Sequence, residues 1–572
     1  MGNSSAALFK DGTLIAAVEE ERLTRKKNDG AFPLASIKEV LSIANIDISE
    51  VAQICIYWKR WNLKIRILET IKKIIKNPSR IIPLISRVKN IFLNNSLKDR
   101  NNGGWNELFK INKLINNNVG RFTGKISFID HHLSHQLYAE AMRDWSKYVS
   151  LSYDGGGEEF STVLSVVEDG SRNILTREKW PNSLGHFYST FTGFLGFKML
   201  EGEYKMMGLA PYGQPKYKNL ILEKILILKP FGKYQLNSNI CDYHLALKGI
   251  FCNEMKLLFG NPRKNNDEPN QRHIDLAASV QAAFEDALVH VLSPAILNYP
   301  SIKNLVISGG CALNVTANGK LLSKKMFSQI IIPPAPHDAG CAIGACLAVL
   351  NKINFESVRS PYLGRAFSEK EIKAAIKNKG INEIEPLEND ELVSITASLL
   401  LNKKIIAWFQ GRSEFGPRAL GNRSYLADPR DDNIRNVINK KIKKRELFRP
   451  FAPSVTIEDA HKFFSIFQDS PFMNIVSRVD SNLVPAITHI DNTARIHTVS
   501  EESNFLYHKL ITEFGKISGV PVLLNTSFNI QEPIVYSPED ALQTFIDSEV
   551  DVLVIGPFII KRSDIQKKRL EL

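Results

Sequence analysis

Four residues far apart in the chain have the types and settings of metal ligands. In the run Asp130-His131-His132-Leu133-Ser134-His135, His131 and His135 stand four apart. On a helix they leave from one face and can share an ion, while His132 is turned away by about 100°. Asp154 and Asp338 each follow an apolar strand-like run and precede glycine, directly or one residue on. A carboxylate in that setting emerges beside whatever binds at the strand end. Two imidazoles and two carboxylates suit a borderline divalent ion such as Fe(II), Mn(II) or Zn(II), and spacing does not choose among them. An isolated H-x-x-x-H is weak, because histidines often serve as hydrogen-bonded structural groups. The accompanying pair of strand-end carboxylates is what favours ligation.

A second chemistry is written in glycine and arginine. Gly155, Gly156 and Gly157, and Ser308-Gly309-Gly310, are turns next to helix starts where backbone N–H groups can approach phosphates without Cβ obstruction. No Walker A loop is present, since Gly319-Lys320 is followed by Leu321, and no G-x-G-x-x-G loop occurs. Toward the C-terminus Arg412, Arg418, Arg423, Arg430, Lys440, Lys441, Lys443, Lys444, Arg445, Arg449 and Arg495 are interleaved with GPRALG and RPFAPSV. Arginines in rigid Gly/Pro-shaped loops suit bidentate capture of phosphate or carboxylate, so a polyanion site is favoured over a solvated face. Asn525, Thr526, Ser527 and Asn529 add neutral donors able to orient phosphate oxygens.

These residues need elements to hold them. Ala6–Glu19 reads as two strands around Lys10-Asp11-Gly12, a hairpin signal. Residues 102–118 read as a loop. Strands are expected at 125–129, 148–153 and 304–307, the last two running into glycine turns and helices, and 330–336 leads into Asp338 and the small-residue helix CAIGACLAVL. Strand, glycine turn, helix is the grammar of an α/β core that binds ligands at the carboxyl ends of its strands. The polar stretch 354–368 marks a boundary, giving domains 1–355 and 356–572.

The six cysteines contain no C-x-x-C pair, which argues against a zinc ribbon or a secreted disulfide framework and for a reducing cytoplasm. No signal pattern opens the chain and no apolar run reaches the length of a membrane span. The net charge of +13 is mostly local: residues 59–100 carry twelve Lys/Arg against Glu69 and Asp99, or +10, leaving +3 for the rest. That argues against a nucleic-acid footprint spread over the protein. The stretch reads as a basic helical insertion, about 59–115, docking by its apolar face. A membrane-surface or acidic-partner helix is the other reading, weakened by Pro78 and Pro83.

Taken together, SSAALFKDG, AAVEEERLTR, DHHLSH, SYDGGGE, EGEYKMMGLAPYG, SGGCALNVTANGKL, PPAPHDAGCAIGA, GRSEFGPRALGNRS, IKKRELFRPFAPSV and PVLLNTSFNIQEPIV closely resemble the bacterial O-carbamoyltransferases of the NodU/CmcH type over nearly the whole chain. The resemblance implies an α/β (α+β) fold, with an actin/hexokinase-like TsaD-type N-terminal domain followed by a YrdC-like C-terminal domain. It implies that the second domain joins carbamoyl phosphate to ATP, accompanied by Mg2+, giving carbamoyl-adenylate and pyrophosphate. The first then transfers the carbamoyl group to a hydroxyl of a small-molecule natural product at a metal site, Fe(II) or another divalent transition metal. Carried over by position, His131, His135, Asp154 and Asp338 are the metal ligands and act with Arg449 in catalysis. Arg418, Arg449, Arg495, Asn525 and Ser527 form the carbamoyl phosphate pocket, Lys443 adds a phosphate contact, and Gly155, Gly156, Gly309, Gly310 and Asn314 line the nucleotide turns. An unstable intermediate made in one domain and used in the other implies an internal passage. A homodimer is a candidate assembly.

Family members open with a strand leading to a histidine before the S/A-A-A-L segment. Here Met1-Gly2-Asn3 precedes it, so either the recorded start is internal or the sheet edge differs. Three rivals stand beside this reading. A hydrogenase-maturation carbamoyltransferase would carry C-x-x-C zinc fingers, which this chain lacks. A tRNA threonylcarbamoylation enzyme would share the metal-binding fold, and a membrane- or partner-docking scaffold would leave the arginine loops unexplained.

Overall fold

In the computed structural model of the chain, Asp11-Gly12 turns strand Ser5–Lys10 back onto Thr13–Glu19 as an antiparallel hairpin, as the Asp-Gly pair predicts. The structure describes residues 3–62, 66–68, 71, 105–381 and 384–564. Most of the basic stretch 59–100 lies outside the described residues, and so do the readings attached to it. The chain divides into two compact units: residues 1–20 with 28–359, and residues 21–27 with 360–572. Both are mixed α/β units with mixed sheets.

The first unit is organised by a five-stranded sheet. Gln329–Ile331, Asn304–Ser308 and Lys147–Tyr153 run parallel, and Phe160–Glu168 and Ser171–Lys179 continue the sheet antiparallel. Its central strand is apolar and fully buried at Val149, Leu151 and Tyr153. Helix Gln271–Asn298 is long and apolar enough to cross a membrane by length and composition, but most of that window is buried in the protein. Its buried Asp275 pairs with Lys216, and Glu285 with Lys320.

Residues 102–118 correct the sequence expectation of a loop. Trp105–Phe109 is a 3-10 turn and Ile111–Asn118 an α-helix. Ile111 and Ile115, four apart, bury one face against Leu108 and Phe122. That packing outweighs the low helix propensity of the asparagines.

The second unit is built on a seven-stranded mixed sheet in the order His497–Val499, Ala452–Thr456, Val522–Ser527, Arg423–Ala427, Ile406–Phe409, Val552–Ile555, Phe558–Lys561. Pleating sets its two faces. Ile406 and Trp408 join the core with helices Asn389–Leu401 and Phe505–Ser518, whereas Ala407 and Phe409 join the core with Glu369–Asn378 and Pro538–Asp547.

His497 is buried in this sheet, with Nδ1 2.8 Å from Ser454 Oγ, and burial pushes its pKa down from 6.5 to about 3. The folded protein therefore refuses a proton that the unfolded chain accepts, so the contribution of this residue to stability is level well above pH 6.5 and falls as pH drops toward 3. Between pH 6.5 and 5 the loss expected from this residue is about 2 kcal/mol. Urea unfolding of wild type and His497→Asn across that range checks it. An identical pH slope in the two proteins would contradict a neutral buried imidazole.

Candidate functional site

The histidine pair owes its position to a cap. Asp130 Oδ1 accepts the Leu133 N–H at 3.0 Å, starting helix His131–Glu140 so that His131 and His135 share a face, with ring centroids 4.6 Å apart. Asp154 emerges where strand Lys147–Tyr153 ends. Its Oδ2 lies 3.0 Å from His131 Nε2 and 3.2 Å from His135 Nε2, and Asp338 Oδ1 lies 3.9 and 3.7 Å from the same atoms. Ligand atoms of all four residues fall within 4.8 Å of one another. Burial would raise the Asp154 carboxyl, but hydrogen bonds with His131 and His135 outweigh it and hold it well below the usual range. Burial would likewise lower His135, and the neighbouring Cys341, Asp154 and Asp338 outweigh it to raise it well above 6.5. An ionised carboxylate facing two imidazole nitrogens is a donor set for a divalent cation, whose charge would replace the protons now shared there.

Asp338 reaches the histidines because two helices approach closely. At Gly344 a Cβ would stand 1.7 Å from Ser134 O, so glycine is what lets helix Cys341–Leu347 lie against helix His131–Glu140. His132, as expected from helical geometry, points elsewhere, with Nδ1 on Ser152 Oγ at 2.8 Å and Nε2 on Phe160 O at 2.9 Å.

The glycine turns border this cluster, but only the one at 308–310 leads into a helix; that at 155–157 turns the chain into the antiparallel strand Phe160–Glu168, because the next apolar run pairs with Lys147–Tyr153. Gly309 takes φ +90°, and its N–H donates to Pro336 O at 2.8 Å, tying the turn to the segment that delivers Asp338. A Cβ on Gly310 would meet Asp154 Oδ1 at 3.2 Å. Gly155 lies against His186, and Gly156 takes φ +139°. Asn314 is engaged within the fold. Its Oδ1 caps helix Val315–Ser323 through Ala317 N and accepts from Gln281 Nε2, while its Nδ2 donates to Gln281 Oε1. Gly309→Ala is expected to cost about 3 kcal/mol or more, because a Cβ there meets Tyr153 O at 2.1 Å and the backbone is left-handed. Thermal unfolding measures it; a wild-type melting temperature would contradict this turn geometry.

Sequence reasoning missed several neighbours. Glu158, next to the glycine run, is buried and accepts the His131 N–H at 3.3 Å and the Lys59 N–H. The Trp58 ring packs 5.2 Å from the His131 ring. Cys341 is fully buried and groups with His131 and His135. None of these follows from spacing along the chain.

In the second unit Glu414 shapes the arginine loop. Its buried Oε1 accepts the N–H groups of Leu420, Asn422 and Arg423 at 2.8, 2.9 and 3.1 Å. Arg418 rides on this loop. Arg495 is half-buried, its Nε is buried without a hydrogen-bond partner, and it makes no ion pair among the described residues. Burial, then Arg418, Arg445 and Arg449, push it well below its ordinary pKa. Asn525 Nδ2 donates to Ala419 O at 3.2 Å and Ser454 Oγ at 2.9 Å, leaving a buried Oδ1 without a hydrogen-bond partner. The free group of Asn525 is therefore an acceptor, not the donor expected from sequence.

Other members of the basic run serve the fold. Arg423 is buried over the Phe409 ring at 3.6 Å and donates to Gln410 O. Arg412 holds Leu363 O and Gly364 O, and Arg430 chelates Asp428. Lys443 is buried, and its ammonium contacts Ser527 O, Ser527 Oγ, Asn529 O and Asn529 Oδ1 at 2.5 to 3.1 Å. Burial and the nearby Arg445 and Arg449 push its pKa well down. Lys443, Ser527 and Asn529 thus brace one another.

Fold and site together define a two-unit α/β protein, with a donor set able to hold a cation in one unit and an arginine cluster able to receive an anion in the other. The family models described as carbamoyltransferase N-terminus and carbamoyltransferase C-terminus match residues 1–347 and 397–562. The chain is 38% identical to an uncharacterized protein of Synechocystis sp., covering 98% of this chain and 95% of that one. It is 37% identical to the nodulation protein NolNO of Sinorhizobium fredii, covering 98% and 79%. Among solved structures, Acidaminococcus fermentans (R)-2-hydroxyglutaryl-CoA dehydratase component A aligns at 14% identity over 62% of this chain and 95% of that one, with a TM-score of 0.31. The chain belongs to the carbamoyltransferase family and is a carbamoyltransferase.

Proposed function

We propose that the chain is an ATP-dependent O-carbamoyltransferase with two centres. The observation that carries this reading is Arg495, a cation with a buried, unbonded Nε among three other arginines. Such a group costs stability unless an anion arrives to neutralise it, and phosphate bound by Arg418, Arg449 and Arg495 supplies that charge. The Asn525 Oδ1 offers an acceptor to the carbamoyl amino group. With water, carbamoyl phosphate loses phosphate; the carbamate oxygen attacks the α-phosphorus of ATP, pyrophosphate leaves, and carbamoyl-adenylate remains. In this reading the second unit is YrdC-like and the first TsaD-like.

In the first unit, His131, His135, Asp154 and Asp338 would hold Fe(II) or another divalent transition ion, which as a Lewis acid would stabilise charge on the carbamoyl oxygen. The turns at Gly155, Gly156, Gly309 and Gly310 would receive the adenylate phosphate with backbone N–H groups. The acceptor hydroxyl attacks the carbamoyl carbon, AMP leaves, and the hydroxyl proton is released. The acceptor class is a hydroxylated small molecule: an antibiotic, toxin or glycan-like compound. Incubation with carbamoyl phosphate, ATP and a panel of such acceptors, with RNA as control, tests this by mass spectrometry. Carbamoylated RNA, or carbamoyl transfer without ATP, would overturn it.

A further inference from the structure

Cys341 has no part in the reaction above, yet its sulfur belongs with the same two imidazoles. Cys341 is fully buried, three residues after Asp338 at the start of helix Cys341–Leu347. Its sulfur and one ring nitrogen each from His131 and His135 lie within 4.8 Å of one another. Asp154 and Asp338 form a separate group with those histidines within the same limit. His131 is 1% exposed, and its Nδ1 has no hydrogen-bond partner.

Two donor sets of different softness therefore share one imidazole pair. Two imidazoles with two carboxylates accept Fe(II), Mn(II) or Zn(II), while exchanging the carboxylates for a thiolate shifts the preference toward the softer Zn(II) or Co(II). A buried thiol grouped with two buried imidazoles is a polar group whose burial a coordinated ion would offset.

We propose that His131, His135 and Cys341 form a second, softer metal position that takes Zn(II) or Co(II) through the Cys341 thiolate, in competition with a harder ion held by Asp154 and Asp338. This rests on the reading that the imidazole pair holds a metal. On binding, the S–H bond breaks, the metal–sulfur bond forms, the proton passes to solvent, and no electron is transferred. Zinc bound this way would draw the imidazoles from the carboxylates and oppose carbamoyl transfer, which Cys341→Ser would relieve.

The test is Co(II) titration of the full-length, metal-free, reduced protein, followed by optical absorption. A sulfur-to-cobalt charge-transfer band in the near ultraviolet is expected, lost on adding Zn(II), absent in Cys341→Ser and retained in Asp338→Asn. Zn(II) affinity should fall in Cys341→Ser by more than about 100-fold, beyond what loss of an outer-shell contact gives. The wild-type spectrum decides even if a variant folds poorly. Bound Co(II) with only weak visible bands would overturn the Cys341 assignment and leave the metal reading standing. No bound Co(II) would overturn both. A band that survives in Cys341→Ser, or a change in Zn(II) affinity under about tenfold, would place the sulfur outside the metal's reach.

Discussion

Arg495→Met is expected to abolish pyrophosphate release from ATP and carbamoyl phosphate and, at the same time, to raise the melting temperature of the protein. The two effects have one cause. Arg495 lies among Arg418, Arg445 and Arg449 with its Nε buried and unbonded and no ion pair of its own among the described residues, so the fold holds this guanidinium against like charges. A methionine of similar reach keeps the packing and removes the repulsion, which should raise stability by about 1 kcal/mol. The same change leaves phosphate charge uncompensated during adenylate formation, with an expected loss of about 1000-fold or more, the scale seen when one charge-stabilising donor is deleted. Arg449→Ala should also abolish release. A coupled pyrophosphate assay with thermal unfolding reads both quantities. Unchanged release would sink the anion-site assignment, and loss of activity with a lowered melting temperature would mark Arg495 as structural.

His135→Ala and Asp338→Asn are expected to strip the metal and reduce carbamoyl transfer by about 1000-fold or more, while pyrophosphate release stays within about twofold of wild type. Both residues belong to the donor set of the first unit, and the arginine cluster belongs to the second. Asp338 is a cleaner target than Asp154, whose oxygens also accept the Gly155 N–H and meet both imidazoles. Metal analysis, acceptor carbamoylation and pyrophosphate release are measured on each variant. Full metal occupancy in both would count against the donor set. Collapse of pyrophosphate release in folded protein would show that the two reactions are not divided between the units.

What is periodic or local along the chain was legible without coordinates. The i, i+4 histidine pair, the Asp154 carboxylate at a strand end, the Asp11-Gly12 hairpin and the Gly309 turn depend on helical and strand geometry and on turn chemistry, which a few neighbouring residues determine, whereas Asp338 opens a 3-10 helix seven residues beyond its strand. The carbamoyltransferase motifs were readable for the same reason: each is a short contiguous run. Burial against distant segments was not readable. The asparagine-rich 111–118 became a helix because Ile111 and Ile115 found Leu108 and Phe122.

Arginines alike in sequence were sorted by their tertiary partners. Arg430 met Asp428 and Arg423 stacked on Phe409, whereas Arg495 was left among like charges. Lys443 was drawn to four oxygens around Ser527 and Asn529, and the amide donors of Asn525 to Ala419 and Ser454. Residue type and order thus determined which groups could do chemistry. Packing decided which of them stand together and which are taken up in bracing the fold, because a buried charge or polar group must find partners and distant segments supply them.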